Sequence, residues 1–427
     1  MTTVPPTTLA LRPFRAIRYR ASTATELGNL ISPPYDVIDD EERATLAARN
    51  AHNVVRLILP SEPAEGGLGR YASAANLLHE WLDEGMLVVD DEPALYVYQQ
   101  RTGETVLQRG LFGAVSWQPL DAGVILPHEN VRSGPVEDRL ALMRAMHANP
   151  EPIFLLYDGG GAASDIAAAT VTQPALQSAE TPDGVTHELW AVTDPVELAR
   201  IEADLSQRQA MIADGHHRYT TYGYLRDEMH ATRGNGPWDF GLTLLVDDSV
   251  ATPDIRAIHR VVPAFALSDA VKRAAFGFQI RELDTISDVD SALTELAKQH
   301  EPAYVISDGD QFVLLSNPDS TQLAASKPAE RTSAWWQLDA SIASVFLMEH
   351  LWGVTDAAGQ VDAEHDPHAA IRIARETAGI ALLLNPAPLA GILAVARAGD
   401  AMPRKSTLFL PKPASGFVMR AFRFEET

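Results

Sequence analysis

No cysteine occurs among the 427 residues. That absence removes disulfides, thiolate nucleophiles, zinc–thiolate sites and cysteine-ligated iron–sulfur clusters together, and it fits a reducing compartment. Basic residues are scarce beside acidic ones: 34 Lys+Arg against 57 Asp+Glu give a net charge of −23. Such a surface repels nucleic acid and anionic lipid unless Lys and Arg are locally concentrated, and no run of them does this. Cations, Mg²⁺ included, are attracted. Long apolar runs are also missing. No stretch reaches the ~18 residues of a membrane span, and the best candidates, Ile380–Leu384 and Ile392–Val395, have strand or helix length. Met1–Ala10 lacks the basic start and apolar core of a secretory signal. The expectation is a soluble cytoplasmic protein with no nucleic-acid and no membrane partner.

What is present is enough to build a substantial core. Hydrophobic residues make up 46% of the chain, and its length suggests two or three domains. Neither an internal repeat nor a low-complexity segment interrupts it. Ser32-Pro33-Pro34-Tyr35-Asp36 must be loop, because each proline fixes its own φ and turns its predecessor away from the helical region. A helix is expected over Glu41–Arg49, a buried strand over Asn53–Leu59 with Arg56 inside it, and an amphipathic helix over 68–84 closed by Gly85. Ala94–Gln99 and Thr105–Val115 read as a hairpin turning at Arg101–Glu104. Pro135 is placed as the first residue of a helix, with Glu137 and Asp138 in its first turn.

Further on, Pro152–Tyr157 reads as a strand, and Gly159-Gly160-Gly161 as a turn rather than a phosphate loop, since no Gly-Lys-Ser/Thr follows. Asp194-Pro195-Val196-Glu197 opens a helix. Composition shifts near residue 265, beyond which helices (about Asp288–Gln299, Leu338–Leu351, His368–Ala378) alternate with strands (about Ala303–Ile306, Phe312–Leu315). The expected organisation is mixed α/β in three parts: 1–150, 151–265 and 266–427.

The segment that carries chemistry is Met211-Ile212-Ala213-Asp214-Gly215-His216-His217-Arg218-Tyr219. A short apolar strand ends at Asp214, Gly215 permits a sharp turn, and a helix starts with its free N–H groups facing forward. Such a terminus attracts phosphate or carboxylate. Arg218 adds bidentate anion binding, His216 and His217 can move protons near neutral pH, and Asp214 can hold a divalent ion or act as a base. The plainer reading is a strand–turn–helix joint with an N-capping Asp, but five such residues in succession favour a site.

Other clusters follow. Tyr35 and Asp36 stand beside two rigid prolines. Leu126-Pro127-His128-Glu129-Asn130 offers an acid–base pair, without the His-Glu-x-x-His spacing of zinc proteases, because Arg132 takes the second His position. Glu137-Asp138-Arg139 reads as cap and ion pair. Arg256, His259 and Arg260 form a basic patch that is either an anion clamp or a solvated face. Met402-Pro403-Arg404-Lys405-Ser406-Thr407 places positive charge beside hydroxyls, so Lys405, Ser406 and Thr407 are candidate phosphate contacts. Arg56 and His128 complete the candidate anion-binding set.

Five ordered segments resemble the hallmark segments of the DUF1015 family: Pro33–Ile38, Asn53–Leu57, Leu126–Glu129, Ala213–Tyr219 and Met402–Thr407. The resemblance runs from about Pro13 to Val418, with Ile258-His259-Arg260 departing from the Thr-His-Arg of many relatives. The Asp-Gly-His-His-Arg segment is similar to the signature of the ParB/sulfiredoxin-like superfamily. That implies a ParB/sulfiredoxin-like core with additional α/β elements and a C-terminal α/β domain. The superfamily includes CTP-binding partition proteins, sulfiredoxin and free-serine kinases. Sulfiredoxin chemistry needs a cysteine where His216 stands, and partition proteins need a basic DNA-binding module that this acidic chain lacks. The serine kinases carry an Asp-Gly-x-His-Arg segment matched by Asp214, Gly215, His217 and Arg218.

The resulting expectation is a nucleotide-dependent phosphotransferase acting on a small hydroxylated metabolite. ATP or ADP would sit on Gly215, His217, Arg218 and the helix terminus. Asp214 would orient the acceptor or hold Mg²⁺, and Glu129 or Asp36 would take the hydroxyl proton. Two other readings stay open. One is a non-catalytic nucleotide-binding regulator, whose oligomeric state would change with nucleotide; a homo-oligomer is among the expected partners. The other is a phosphomonoester or metal-dependent hydrolase using His128, Glu129, His216 and His217, disfavoured because adjacent side chains diverge on a helix.

Overall fold

The computed structural model describes residues 8–62, 68–251, 253–300, 302–355 and 360–425. Most of the Met1–Ala10 stretch read for a secretory signal therefore lies outside the described residues. The chain packs as two compact units. One comprises Met1–Pro127, Val131–Pro253 and Pro411–Thr427; the other comprises His128–Asn130 and Asp254–Leu410. The parts expected as 1–150 and 151–265 thus share most of one unit, and the main body of the second unit starts at Asp254. No described helix is long and apolar enough to cross a membrane.

A nine-stranded mixed sheet organises the first unit. Its site-bearing strand, Ala210–Asp214, runs parallel to Ile125–Leu126 on one side and antiparallel to Ile153–Tyr157 on the other. Ile153–Tyr157 lies parallel to Phe240–Asp247, which is antiparallel to Thr105–Ser116. The hairpin Leu95–Thr102/Thr105–Ser116 turns where expected, with Gly103 at a φ of 56°. All five residues of Ala210–Asp214 are buried, so the strand is apolar throughout except at its last residue. The helix His216–Arg233 then packs Tyr219, Tyr222 and Leu225 into the core shared with Ile153, Leu155 and Ile212. These three residues recur at the spacing of one helical face.

The second unit is built on a six-stranded sheet, ordered Gln279–Glu282, Phe312–Ser316, Tyr304–Ser307, Ile380–Leu383, His259–Val262, Asp362–Glu364. All its pairings are antiparallel. Alternate residues feed two apolar clusters: Tyr304 and Ile306 enter one, Val305 and Ala303 the other. That is the period-2 alternation of a sheet covered on both faces.

Three local expectations are corrected. Val55–Ile58 is a helical turn, not a strand. Asn53 decides this: its side-chain oxygen accepts the Val55 N–H (2.9 Å) and its amide donates to the Asn29 and Ile31 carbonyls. The helix holding Pro135 begins at Ser133, so Pro135 is its third residue, still within the turn whose N–H groups have no helical acceptor. The helix expected over Leu338–Leu351 is an α-turn, Asp339–Ile342, followed by a π-helix, Ala343–Trp352.

Candidate functional site

Asp214 ends its strand at an irregularity: Ile212 pairs with Leu155 while Asp214 pairs with Phe154. The slip at Ala213 re-aims the strand's last side chain, as bulges do. Gly215 follows with a φ of 92°, a conformation side chains rarely adopt. A Cβ there would lie 3.0 Å from Ile153 Cγ2 and 3.2 Å from Arg218 Nε. The glycine thus permits both the turn and the close passage of the arginine. The helix starts at His216 with no side chain capping it.

Arg218 is 1% exposed and turns inward. It donates to the Pro152 carbonyl (2.6 Å) and to Asp214 Oδ2 (2.5 Å), while its Nε is buried without a hydrogen-bond partner. Asp36 Oδ2 lies 4.0 Å from the same guanidinium. Burial lowers the Arg218 pKa, but Asp214, Glu151 and Asp36 outweigh it and raise the net value. The guanidinium expected to bind phosphate thus donates to Asp214 and to the backbone.

Lys412, not singled out in the sequence, brings a second cation to Asp214. Its Nζ donates to Asp214 Oδ1. Burial pushes the Asp214 pKa up; Lys412 and Arg218 outweigh that and hold the carboxyl below its ordinary value. The lysine arrives on the returning segment Pro411–Thr427 of the first unit. Gln108 donates to the Pro411 carbonyl (2.9 Å), Gln100 to that of Lys412 (3.2 Å), and the Ala414 N–H donates to Tyr98 Oη (3.3 Å). The Pro411-Lys412-Pro413 triplet is the signal that sequence reasoning passed over, since flanking prolines hold a lysine on extended chain.

Glu151, also missed, ties three segments together from a fully buried position. It accepts the Tyr35 N–H (2.9 Å), Ser415 Oγ (3.2 Å) and Arg139 Nη1 (3.3 Å). Burial raises its pKa against the lowering effect of Arg218 and Arg139. Arg139, read as part of a cap, is buried and stands over the Tyr35 ring at 4.1 Å, with Arg218 at 5.6 Å from the same ring. This fixes the 3₁₀ turn Tyr35–Val37 and presents Asp36, whose side chain is 33% exposed. Partial burial, then the nearby Asp214 carboxylate, push the Asp36 pKa upward.

His216 is buried, and His217 is half-buried with a pKa lowered by burial and by Arg132. The Arg132 N–H donates to His217 Nε2 (3.1 Å). An acceptor Nε2 assigns the proton of the neutral ring to Nδ1. Asp36, Asp214, Gly215, His216, His217 and Arg218 therefore lie in one unit, in a cluster completed by Lys412 and Glu151.

The remaining candidates are placed elsewhere. Arg56 is exposed on its helical turn and donates to the Ala47 carbonyl (2.8 Å). His128 and Glu129 belong to the second unit. His128 is buried, 3.1 Å from Thr407 Oγ1 and against the Phe409 ring; Glu129 accepts the Lys405 N–H at 3.4 Å. Arg260, also buried, donates to the Arg404 and Lys405 carbonyls (2.8 and 3.0 Å), and Ser406 Oγ to the Pro403 carbonyl (2.6 Å). Arg260 and Ser406 thus shape the 403–407 loop from within.

Among the described residues no group of three or more His, Asp or Glu side chains is arranged to hold a metal ion. Asp214 in particular does not fit Mg²⁺: Arg218 and Lys412 occupy one oxygen each.

Comparison with known proteins gives a family. Residues 11–341 match the profile described as "Protein of unknown function (DUF1015)". No curated protein matches the chain. Solved structures with partial likeness include SbnI from Staphylococcus aureus with a C-terminal truncation (12% identity, TM-score 0.36, covering 71% of this chain and 85% of that one). A free serine kinase in complex with AMP follows at 12% identity and TM-score 0.34, covering 70% and 87%. A conserved hypothetical protein from Pyrococcus furiosus has 10% identity and TM-score 0.34, covering 73% and 95%. Likeness of that order carries no functional argument.

Proposed function

This chain belongs to the DUF1015 family, and on that footing we propose that it is a nucleotide-dependent phosphotransferase acting on a small hydroxylated metabolite such as a serine-like amino acid. The observation that carries the reading is the line of alternating charges Asp36, Arg218, Asp214 and Lys412 beside a helix start that no side chain caps. Phosphoryl transfer depends on positioning and charge neutralisation more than on a covalent nucleophile, and the cluster supplies those two things.

In this reading the uncapped N–H groups at the helix start receive the phosphates of ATP or ADP. Lys412 has three donors and gives one to Asp214, so it retains donors for a phosphate oxygen. Arg218 keeps Asp214 and Asp36 in place from below. Nδ1–H of His217 is a further donor. Asp36 is the base: its upward-shifted pKa suits it to take a hydroxyl proton. The acceptor oxygen attacks the terminal phosphorus, the bond to the departing nucleotide oxygen breaks, and the hydroxyl proton passes to Asp36.

The test is a turnover assay with ATP or ADP and serine-like acceptors, run on the natural protein and on Asp36→Asn. The expected result is phosphorylated acceptor with the natural chain and a loss of at least about a hundredfold in the variant, in line with removal of a general base. Nucleotide binding without turnover by any acceptor would contradict a phosphotransferase and favour a non-catalytic nucleotide-binding regulator.

A further inference from the structure

The first unit contains a hollow of about 1060 Å³, lined in part by the last two turns of the site helix. Arg226, His230 and Arg233 line it from that helix. At ~1.5 Å per residue they stand about 15 to 26 Å along the axis from His216, so the hollow is separate from the Asp214 cluster. A volume near ~1,000 Å³ is at the upper end for a small-molecule site.

Its charge is unlike that of the rest of the chain. Against a net −23 overall, the lining has four arginines, Arg12, Arg15, Arg226 and Arg233, and two carboxylates, Asp239 and Glu425. Both carboxylates are already neutralised. Asp239 contacts His230 and lies 3.6 Å from Arg226; Glu425 is paired with the buried Arg420 at 2.7 Å. Arg12 and Arg15 have no carboxylate partner among the described residues. Arg12 lies over the Phe240 ring at 4.2 Å, and Arg15 donates to the Asp90 backbone carbonyl at 2.8 Å.

Aromatic rings stand beside the arginines: Arg12 lies over Phe240, Arg226 over Trp117 at 4.6 Å and Arg233 over Trp238 at 6.0 Å. Basic residues at a helix C-terminus complement the helix dipole, which accounts for Arg233 and His230. That effect does not extend to Arg12 and Arg15, which reach the hollow from a different segment.

We propose that this hollow is a binding site for a small organic polyanion, recognised through phosphate or carboxylate oxygens by Arg12 and Arg15. The site is independent of the phosphotransferase reading and stands if that reading fails.

The test is calorimetric titration of the full chain carrying Lys412→Met, which weakens the Asp214 cluster, with AMP in one arm and citrate in the other. At least one anion is expected to bind with a stoichiometry of one. The further exchange Arg12→Glu with Arg15→Glu should weaken that binding at least about tenfold, the loss of a charged hydrogen bond or two. The arm that responds identifies phosphate esters or polycarboxylates as the ligand class. If Lys412→Met fails to fold, the same charge reversal in the natural chain should remove anion-induced protection of residues 226–240 from hydrogen exchange. Undiminished binding after charge reversal, or no binding of either anion at millimolar concentration, would overturn the proposal.

Discussion

Lys412 and Asp214 lie 198 residues apart in the chain and form a buried ion pair at the end of the central sheet. Arg218 holds the other oxygen of the same carboxylate at 2.5 Å. The carboxylate thus carries one cation on each oxygen.

Lys412→Met should therefore separate binding from folding. Asp214 keeps Arg218, so the stability loss should be about 1–3 kcal/mol, less than for leaving a buried charge wholly unpaired. ADP affinity should fall at least about tenfold, and Lys412→Arg should restore part of it. Urea unfolding and calorimetry on the two variants check this.

Arg218→Ala should behave in the opposite way. The substitution strips Asp214, Asp36 and Glu151 of a shared partner at a position only 1% exposed. A loss of about 3–5 kcal/mol is expected, as for removal of one member of a buried pair. A variant with the natural denaturation midpoint would show that the guanidinium is not the support described above.

The Asp36 carboxyl fixes a pH dependence. Its pKa is raised in the folded chain, whereas an ordinary Asp titrates near about 3.9. The base form gains population as pH rises, so the acid limb of turnover should lie above the ordinary Asp range and vanish in Asp36→Asn. The linkage has the matching sign. Between the ordinary and the raised value the folded state binds more protons, so stability falls as pH rises through that window. Asp36→Asn should lack that fall and melt at a higher temperature than the natural chain at neutral pH.

Gly215→Ala should destabilise by about 1–3 kcal/mol, because the residue is held at positive φ and the added methyl meets Ile153 and Arg218 Nε. Thermal melts of the single variant measure it, and an unchanged midpoint would refute the tight turn.

Much of the site was legible in the sequence because it is local. Asp214, Gly215 and the paired histidines sit on consecutive residues, and the Pro-Pro-Tyr-Asp loop marks itself by its prolines. The direction of Arg218 was not legible: a motif gives the residue, while Pro152 and Asp214, which capture it, are known only from packing. Lys412 and Glu151 were hidden because each acts through segments distant in sequence. The helical turn at Val55–Ile58 was misread because a short apolar run fits either structure, and Asn53 carried the deciding hydrogen bonds. In the Met402–Thr407 loop the charges suggested a phosphate contact, yet Arg260 and Ser406 spend theirs on the loop's own carbonyls.

The central claim is that the helix start after Asp214 grips the phosphates of a nucleotide. Hydrogen exchange of the full chain with and without ADP, read on peptides spanning residues 213–219, tests it most directly. The account predicts slowed exchange at those amides when ADP is added, and no slowing in Lys412→Met. Identical exchange there with and without saturating ADP, or protection confined to residues 226–240, would contradict it.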